Sequence, residues 1–394
     1  MITRFRVQNY KALRDVTLDL TPIHVLIGPN DSGKTSILEA IAALSRSVDY
    51  SLAGSFIGSW EGASLVWQGN VALDVVFDVT FDVAERALQY YLASHFAPTG
   101  QDVKIVQEIM REGGHDYQVA SKGQPVSYVQ QQGRSIGEIT EAPQAPARRV
   151  YESSRPVEYC RWNPRILCLP VAANAQRRYR IDSSGFGLAL CLDDILGYDR
   201  QQFNTLEKRF TSFFPEFSSI ALIRAHAFNA PLETPQQIPM LERREGKGIF
   251  FRLSNGGSDI SAFQVSDGVL LVLAYLTILH LPQPPRVLLI EEPENSVHPK
   301  RLQDVLTILR ELVQEQKHTQ VILTTHSPYV VDLFKPDEVT LCRKQEDGSI
   351  AVRRLSESKT VREQMDYFTL GEIWTAEGDE ALAQPASQEQ DAAR

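Results

Sequence analysis

Residues 24–47 read HVLIGPNDSGKTSILEAIAALSRS: a short apolar run, a glycine loop, then Ile37, Ala40, Ile41 and Leu44 at the i, i+3, i+4, i+7 spacing of a helix packed by one face. The loop fits G-x-x-x-x-G-K-[ST], and at average residue usage a chance match in a chain this long is about one in a hundred. With a strand before it and a helix after it, the pattern is that of a phosphate-binding loop. Gly28, Pro29, Asn30, Asp31, Ser32 and Gly33 are then expected to turn backbone N–H groups inward around phosphates. Lys34 supplies a point charge toward the β and γ phosphates. Thr35 offers a hydroxyl to Mg²⁺, and Ser36 continues the first helical turn.

The rest of the chain supports a large globular protein. Its 394 residues carry a net charge of −9, with 43% hydrophobic and 23% charged residues, which excludes bulk disorder and collagen-like classes. No apolar run reaches the roughly 18 to 20 residues of a membrane span, and MITRFRVQNYKAL lacks a signal-peptide core, so a cytoplasmic protein is expected. Cys160, Cys168, Cys191 and Cys342 form no CxxC pair and no zinc-like spacing, so they are expected to be reduced and packed. The acidic balance argues against general nucleic-acid affinity, and a local basic groove is the form such binding would take. Residues 375–394, with five acids and one base, are expected to form an acidic flexible tail.

The C-terminal third alternates helix and strand: helix 267–280, strand 286–290, helix 300–315, strand 320–324, helix 328–334 and strand 338–343. Such alternation marks a parallel sheet with helices on its faces. Two of these strands deliver chemistry. RVLLIEEPEN ends in Glu291 and Glu292; beside a phosphate loop, the first acid would hold Mg²⁺ and the second would orient or activate the attacking water. VILTTHS sets His326 at the carboxyl edge of the same sheet, where a γ-phosphate sensor would sit. Ser266, Asp267 and Gly268 head the apolar helix VLLVLAYLTIL, either as a plain helix cap or as an anion site; spacing does not choose.

Between these blocks the periodicities predict a strand over 71–82, a helix over 83–95, strands over 103–131 and a loop over 132–157. Further on they predict a short strand at 166–170, a helix over 183–206 capped by Ser183 or Ser184, and strands at 220–223 and 249–253. Phe210, Phe213, Phe214 and Phe217 around Pro215 predict an apolar staple under a helix end. Lys34 and Glu292 are separated by 257 residues that show no sustained heptads, so the interval is expected to be a compact insertion and not a coiled coil.

The order of phosphate loop, SDG-headed helix, LLIEEPENSVHP and TTHSPYVVD resembles the ABC-type ATPase head of the RecF/SMC/OLD-like group, in particular its standalone bacterial AAA-type members. RFRVQNYKALRDVTLDL resembles the opening strands of that group. The resemblance implies an α/β P-loop NTPase with a mixed core sheet, an antiparallel β part and a helical lid insertion. It divides the chain into 1–47 and 266–374 as the ATPase core, 48–265 as strands, loop and lid, and the tail. It further implies ATP and Mg²⁺ as cofactors, with Thr35 and Glu291 on the metal, Glu292 as catalytic base, His326 as switch histidine and Lys34 on the phosphates. Ser266, Asp267 and Gly268 would be the signature, acting in trans across a homodimer or higher homo-oligomer, with Asn295, Ser296 and His298 in the D-loop. Departures are Glu291 in place of the usual Asp, VSDGV in place of LSGGQ, and His298 where a D-loop Asp is usual. Gln68 is the candidate for the Q-loop glutamine.

The implied function is a Mg-dependent ATP hydrolase whose closure controls nucleic-acid binding or a separate effector protein such as a nuclease, in antiphage defence or DNA maintenance, with no membrane partner. The stretch after His326 lacks Toprim-type acidic motifs, so a nuclease is expected on another chain. Arg177, Arg178 and Arg180 around Tyr179, with Arg148 and Arg149, form the best basic cluster; the plain alternative to a nucleic-acid or partner contact is a solvated face. Alternatives to the hydrolase are a nucleotide-binding scaffold with little turnover and, less well matched, a transporter ATPase subunit.

Overall fold

A computed structural model describes residues 1–56, 60–83, 85–119, 122–133, 143–173, 179–229, 240–295 and 298–384. The chain divides into two compact units. The first holds 1–157, 286–292 and 318–394, and the second holds 158–285 and 293–317.

Two sheets build the first unit. Strands Ile23–Ile27, Gln320–Thr324 and Val287–Glu291 pair in parallel in that order, and Val339–Lys344 pairs in parallel on the other side of Ile23–Ile27. Ile350–Arg354 adds an antiparallel edge. The three inner strands IHVLI, QVILT and VLLIE are buried almost throughout, as expected for strands covered on both faces. His24 is fully buried among them, with Nδ1 3.0 Å from Thr21 Oγ1 and Nε2 2.9 Å from Thr340 Oγ1. Burial, aided by the Arg354 charge, lowers its pKa to about 3, so this imidazole is neutral.

The second sheet is antiparallel, in the order Leu13–Asp19, Ile2–Tyr10, Val75–Val83, Arg86–Phe96, Val103–Glu112, His115–Gln118. Its inner face buries Phe5, Tyr10 and Phe77, with ring centroids 6.1 to 6.4 Å apart. Gln320 ties the two sheets together: its Oε1 accepts from Ile2 N at 3.0 Å, and its Nε2 donates to Ile2 O at 2.8 Å and Thr21 O at 3.0 Å. The opening strands therefore belong to the antiparallel sheet, and of residues 1–47 only Ile23–Ile27 and helix Lys34–Ser47 build the parallel core.

In the second unit, helix Asp267–Leu279 is buried on every side from Gly268 onward, as an all-apolar helix must be. Helices Leu188–Tyr198, Arg200–Phe213 and Pro299–Glu315 accompany it, with a long hairpin of Phe217–Asn229 and Met240–Leu253. Three of the four expected phenylalanines cluster: Phe210, Phe214 and Phe217 gather with Phe251, centroids 5.0 to 6.4 Å apart, while Phe213 is half-buried and is not one of these ring partners. Arg301 lies over the Phe214 ring at 4.2 Å and donates to Phe213 O at 2.9 Å.

Several expectations are corrected. The expected helix at 83–95 is replaced, among the described residues, by the end of strand Val75–Val83, a turn at Glu85 with φ +64°, and strand Arg86–Phe96, in which Leu88, Tyr90 and Leu92 bury with period two. The expected loop at 132–157 contains helix Gln144–Ser154, which buries Pro146, Ala147, Val150 and Ser154. The expected strand at 166–170 is instead the short helix Pro164–Leu167, started by the Asn163 side chain accepting from Arg165 N at 2.9 Å and by Pro164 at the first position, and a two-residue strand Val171–Ala172. The 183–206 helix starts at Leu188 behind Gly187, at φ +108°, with no serine cap. It breaks at Asp199, whose carboxylate caps the next helix through Gln202 N at 3.0 Å. The expected tail is helical at its start, since helix Leu370–Leu382 runs through Thr375, capped by Thr369 and Glu372. Its last part, from 385, lies outside the described residues. All four cysteines are free and buried, as their spacing implied.

Candidate nucleotide site

The phosphate loop follows strand Ile23–Ile27 and its conformation is set by close approach. Gly28 has φ +134°, and a Cβ there would lie 2.1 Å from the Cys342 carbonyl oxygen. Gly33 has φ +83°, and a Cβ there would lie 2.6 Å from Ile350. Both positions demand glycine, and both are fixed by the hairpin of Val339–Lys344 and Ile350–Arg354. Gly33 caps helix Lys34–Ser47 without any side-chain cap, and the first helical turn holds no acid. An unblocked helix start with its positive dipole end is the arrangement that accepts an anion.

Lys34 is 5% exposed and lies over the loop, its Nζ donating to Gly28 O and Pro29 O at 2.8 Å and to Ser32 Oγ at 3.2 Å. Pro29, Asn30, Asp31 and Thr35 are exposed, Ser32 is buried, and Ser36 is half-buried. These features fit a bound triphosphate: glycine backbone around it, one buried ammonium held at the loop and a hydroxyl in the first turn.

Because Gln320–Thr324 lies between Ile23–Ile27 and Val287–Glu291, the three strands deliver the loop, His326 and the acid pair to one edge of the sheet. Glu292 closes its strand by donating its N–H to Thr324 O at 3.1 Å, and Thr325 N donates to Leu26 O at 3.1 Å. Glu292 Oε1 stands 3.0 Å from His326 Nε2, each side chain about one-third exposed, at 35% and 32%. Glu292 also sits at φ +44°, a left-handed conformation that a non-glycine residue adopts at a cost of order 1 kcal/mol or more. A carboxylate and an imidazole in contact at a half-open edge can share a water and move a proton. Glu291, half-buried, is at the last position of the strand, opposite Thr324. Among the described residues no group of three or more His, Cys, Asp or Glu could enclose a metal. A Mg²⁺ ion at Thr35 and Glu291 therefore fits only the mode in which phosphate oxygens and waters complete the octahedron.

In the second unit, Ser266 and Asp267 are exposed at the head of helix Asp267–Leu279, and Gly268 is buried. Ser266 has the extended N-cap backbone but makes no side-chain cap. Asn295 and His298 are exposed, and Ser296 lies outside the described residues. Of the basic cluster, Arg177 and Arg178 lie outside the described residues; Arg180 is exposed with Nε 3.9 Å from Asp182. Gln68 donates to Asp347 O at 3.3 Å.

Sequence reasoning missed the hairpin wall. Lys344 pairs with Asp31 of the loop across 313 positions of sequence, and the contacts from Cys342 and Ile350 shape both glycines. VTLCRK carries no local signal of that role.

Two family models match the chain: "AAA ATPase domain" over residues 1–109, and "AAA domain, putative AbiEii toxin, Type IV TA system" over residues 172–332. Between them they take in the loop, the SDG head, the acid pair and His326. A stretch of 41 residues is 46% identical to the OLD nuclease of Thermus scotoductus; it is 10% of this chain and spans only 8% of that relative. Among solved structures, an Smc head bound to the C-winged helix domain of ScpA superposes with a TM-score of 0.52 at 13% identity, over 90% of this chain and 98% of that one. An Smc head with an extended coiled coil, bound to the C-terminal domain of ScpA derived from Pyrococcus furiosus, gives 0.50 at 11% identity, over 93% and 99%. Together these similarities support an ABC-like P-loop ATPase head, similar to those of the RecF/SMC/OLD group.

Proposed function

We propose that the protein hydrolyses ATP with Mg²⁺ in a head-to-head homodimer, and that closure around the nucleotide controls nucleic-acid binding or a separate effector protein, in antiphage defence or DNA maintenance. The observation that carries the reading is the Glu292–His326 contact at the edge that also holds the phosphate loop. A glutamate kept in a left-handed conformation with its carboxylate on an imidazole is an arrangement that costs stability and that a passive nucleotide clamp has no need of.

In this reading Lys34 leaves the loop carbonyls for the β and γ phosphates, and Thr35 and Glu291 hold Mg²⁺, which neutralises phosphate charge when bound. Glu292 takes the proton of the attacking water, and His326 holds Glu292 and contacts the γ-phosphate. Ser266 and Gly268 of one copy cover the nucleotide of the other. The match to the OLD nuclease supports a nucleic-acid-related setting, and no helix among the described residues is long and apolar enough to cross a membrane.

Phosphate release by wild type and Glu292→Gln tests the reading. The variant should bind ATP as tightly and release phosphate about 100- to 10,000-fold more slowly. With Mg²⁺ and ATP it should sediment as a dimer. Unchanged release would remove Glu292 as the base, and a variant that stays monomeric at saturating ATP would remove the composite site.

A further inference from the structure

Asp31 is an unexpected residue for its place. It belongs to the loop that cradles phosphates, it sits at φ +66°, and it brings a carboxylate to a site built for anions. An uncompensated carboxylate there would repel each phosphate charge within a Debye length. Compensation comes from Lys344, whose Nζ pairs with Asp31 Oδ2. Lys344 ends the strand whose Cys342 carbonyl abuts Gly28, and the next strand of that hairpin begins with Ile350 against Gly33, so the hairpin that shapes the loop also delivers the cation.

We propose that Lys344 is a positioning residue for nucleotide binding: by neutralising Asp31 it keeps the loop receptive to a triphosphate, so the hairpin is an electrostatic as well as a steric wall of the site. The proposal rests on this loop binding nucleotide. The pair is exposed, 48% at Lys344 and 79% at Asp31, so it adds little to fold stability, and its effect is read in ligand affinity.

The test measures ATP, ADP and AMP binding to wild type, Lys344→Ala, Lys344→Arg, Asp31→Asn and the double variant Asp31→Asn/Lys344→Ala, at low and high salt, with Lys34→Ala alongside. Lys344→Ala should melt with wild type yet bind ATP about tenfold more weakly at low salt, with a smaller loss for ADP, a smaller one again for AMP, and a loss that shrinks with salt. Lys344→Arg should retain affinity, Asp31→Asn should bind ATP about two- to threefold more tightly, and the double variant should return to within about twofold of wild type. A deficit that persists in the double variant, that is equal for ATP and AMP, or that is missing altogether would overturn the proposal. Wild type that binds ATP no better than Lys34→Ala would overturn the nucleotide reading itself, a result distinct from any of these.

Discussion

Two helix starts in this molecule offer the same chemistry and are built in opposite ways. Helix Lys34–Ser47 begins behind Gly33 in a left-handed conformation, with no acid in its first turn and with Ile350 leaving no room for a Cβ. Helix Asp267–Leu279 begins behind Ser266 in an ordinary extended conformation, with Asp267 in its first turn and ordinary space around Gly268, where a Cβ would meet Arg301 at 3.6 Å. The first is a preformed cradle that is complete within its unit. The second is open and carries its own negative charge, so it suits an anion already neutralised elsewhere. The largest expected effect follows from that difference. Gly28→Ala, driven into the Cys342 carbonyl and strained at φ +134°, should weaken ATP binding by more than about 100-fold, whereas Gly268→Ala should leave ATP affinity within about twofold. Equal losses in equilibrium binding would erase the distinction.

Burial of a titratable side chain separates the two units a second time, with pKa shifts of opposite sign. His24, beneath the phosphate loop, has its pKa lowered to about 3 by burial, while in the unfolded chain it titrates near the ordinary 6.5. The unfolded state therefore takes up the proton first, and the stability held above pH 6.5 is lost as pH falls toward 3, by at most about 1.4 kcal/mol per pH unit. Glu158, in the second unit, is raised to about 7 by desolvation, against the lowering pull of Arg180 and with the help of Asp182. Its contribution is present below pH 4.5 and is lost as pH rises through 7. The side chain keeps some accessible surface despite its dense surroundings, so its slope should fall below that of His24. Urea unfolding across pH 4 to 7 should show His24→Gln losing the acid-side decline and Glu158→Gln losing the alkaline-side one. Parallel shifts of both variants at every pH would contradict the assignment.

What the sequence disclosed depended on how local the signal was. The loop at 28–35 was legible because its glycines, lysine and threonine are contiguous, and strands such as 287–291 and 320–324 because burial on both faces forces an unbroken apolar run. Strand Arg86–Phe96 was not, since RALQYYLASHF mixes alanine and leucine with aromatics and its period-two burial shows only when paired with Val75–Val83. Helix Gln144–Ser154 hid behind prolines and small residues whose burial depends on neighbours. At the candidate site, the positions of Glu292 and His326 just past two strand ends follow from the sequence, but neither their contact nor the left-handed turn at Glu292 has a local signature. Lys344 had none at all, because the partner that gives it meaning is 313 residues away.

The smallest effect on the fold should accompany the most informative effect on function. Ser266 makes no cap hydrogen bond, so Ser266→Ala should cost no more than a few tenths of a kcal/mol, well under the roughly 1 kcal/mol of a working serine cap. If this open helix start completes the pocket of a second copy, the variant should bind ATP normally and hydrolyse it poorly, while Lys34→Ala should fail at binding. Mixing the two then distinguishes service in trans from service in cis. A mixed dimer pairs the intact loop of one copy with the intact serine of the other, so one of its two sites is whole. With half of all dimers mixed, phosphate release should recover to about a quarter of the wild-type rate. No recovery on mixing, with dimers still forming, would mean that each serine serves its own chain, and the contrast between a complete cradle and a lent cap would fall.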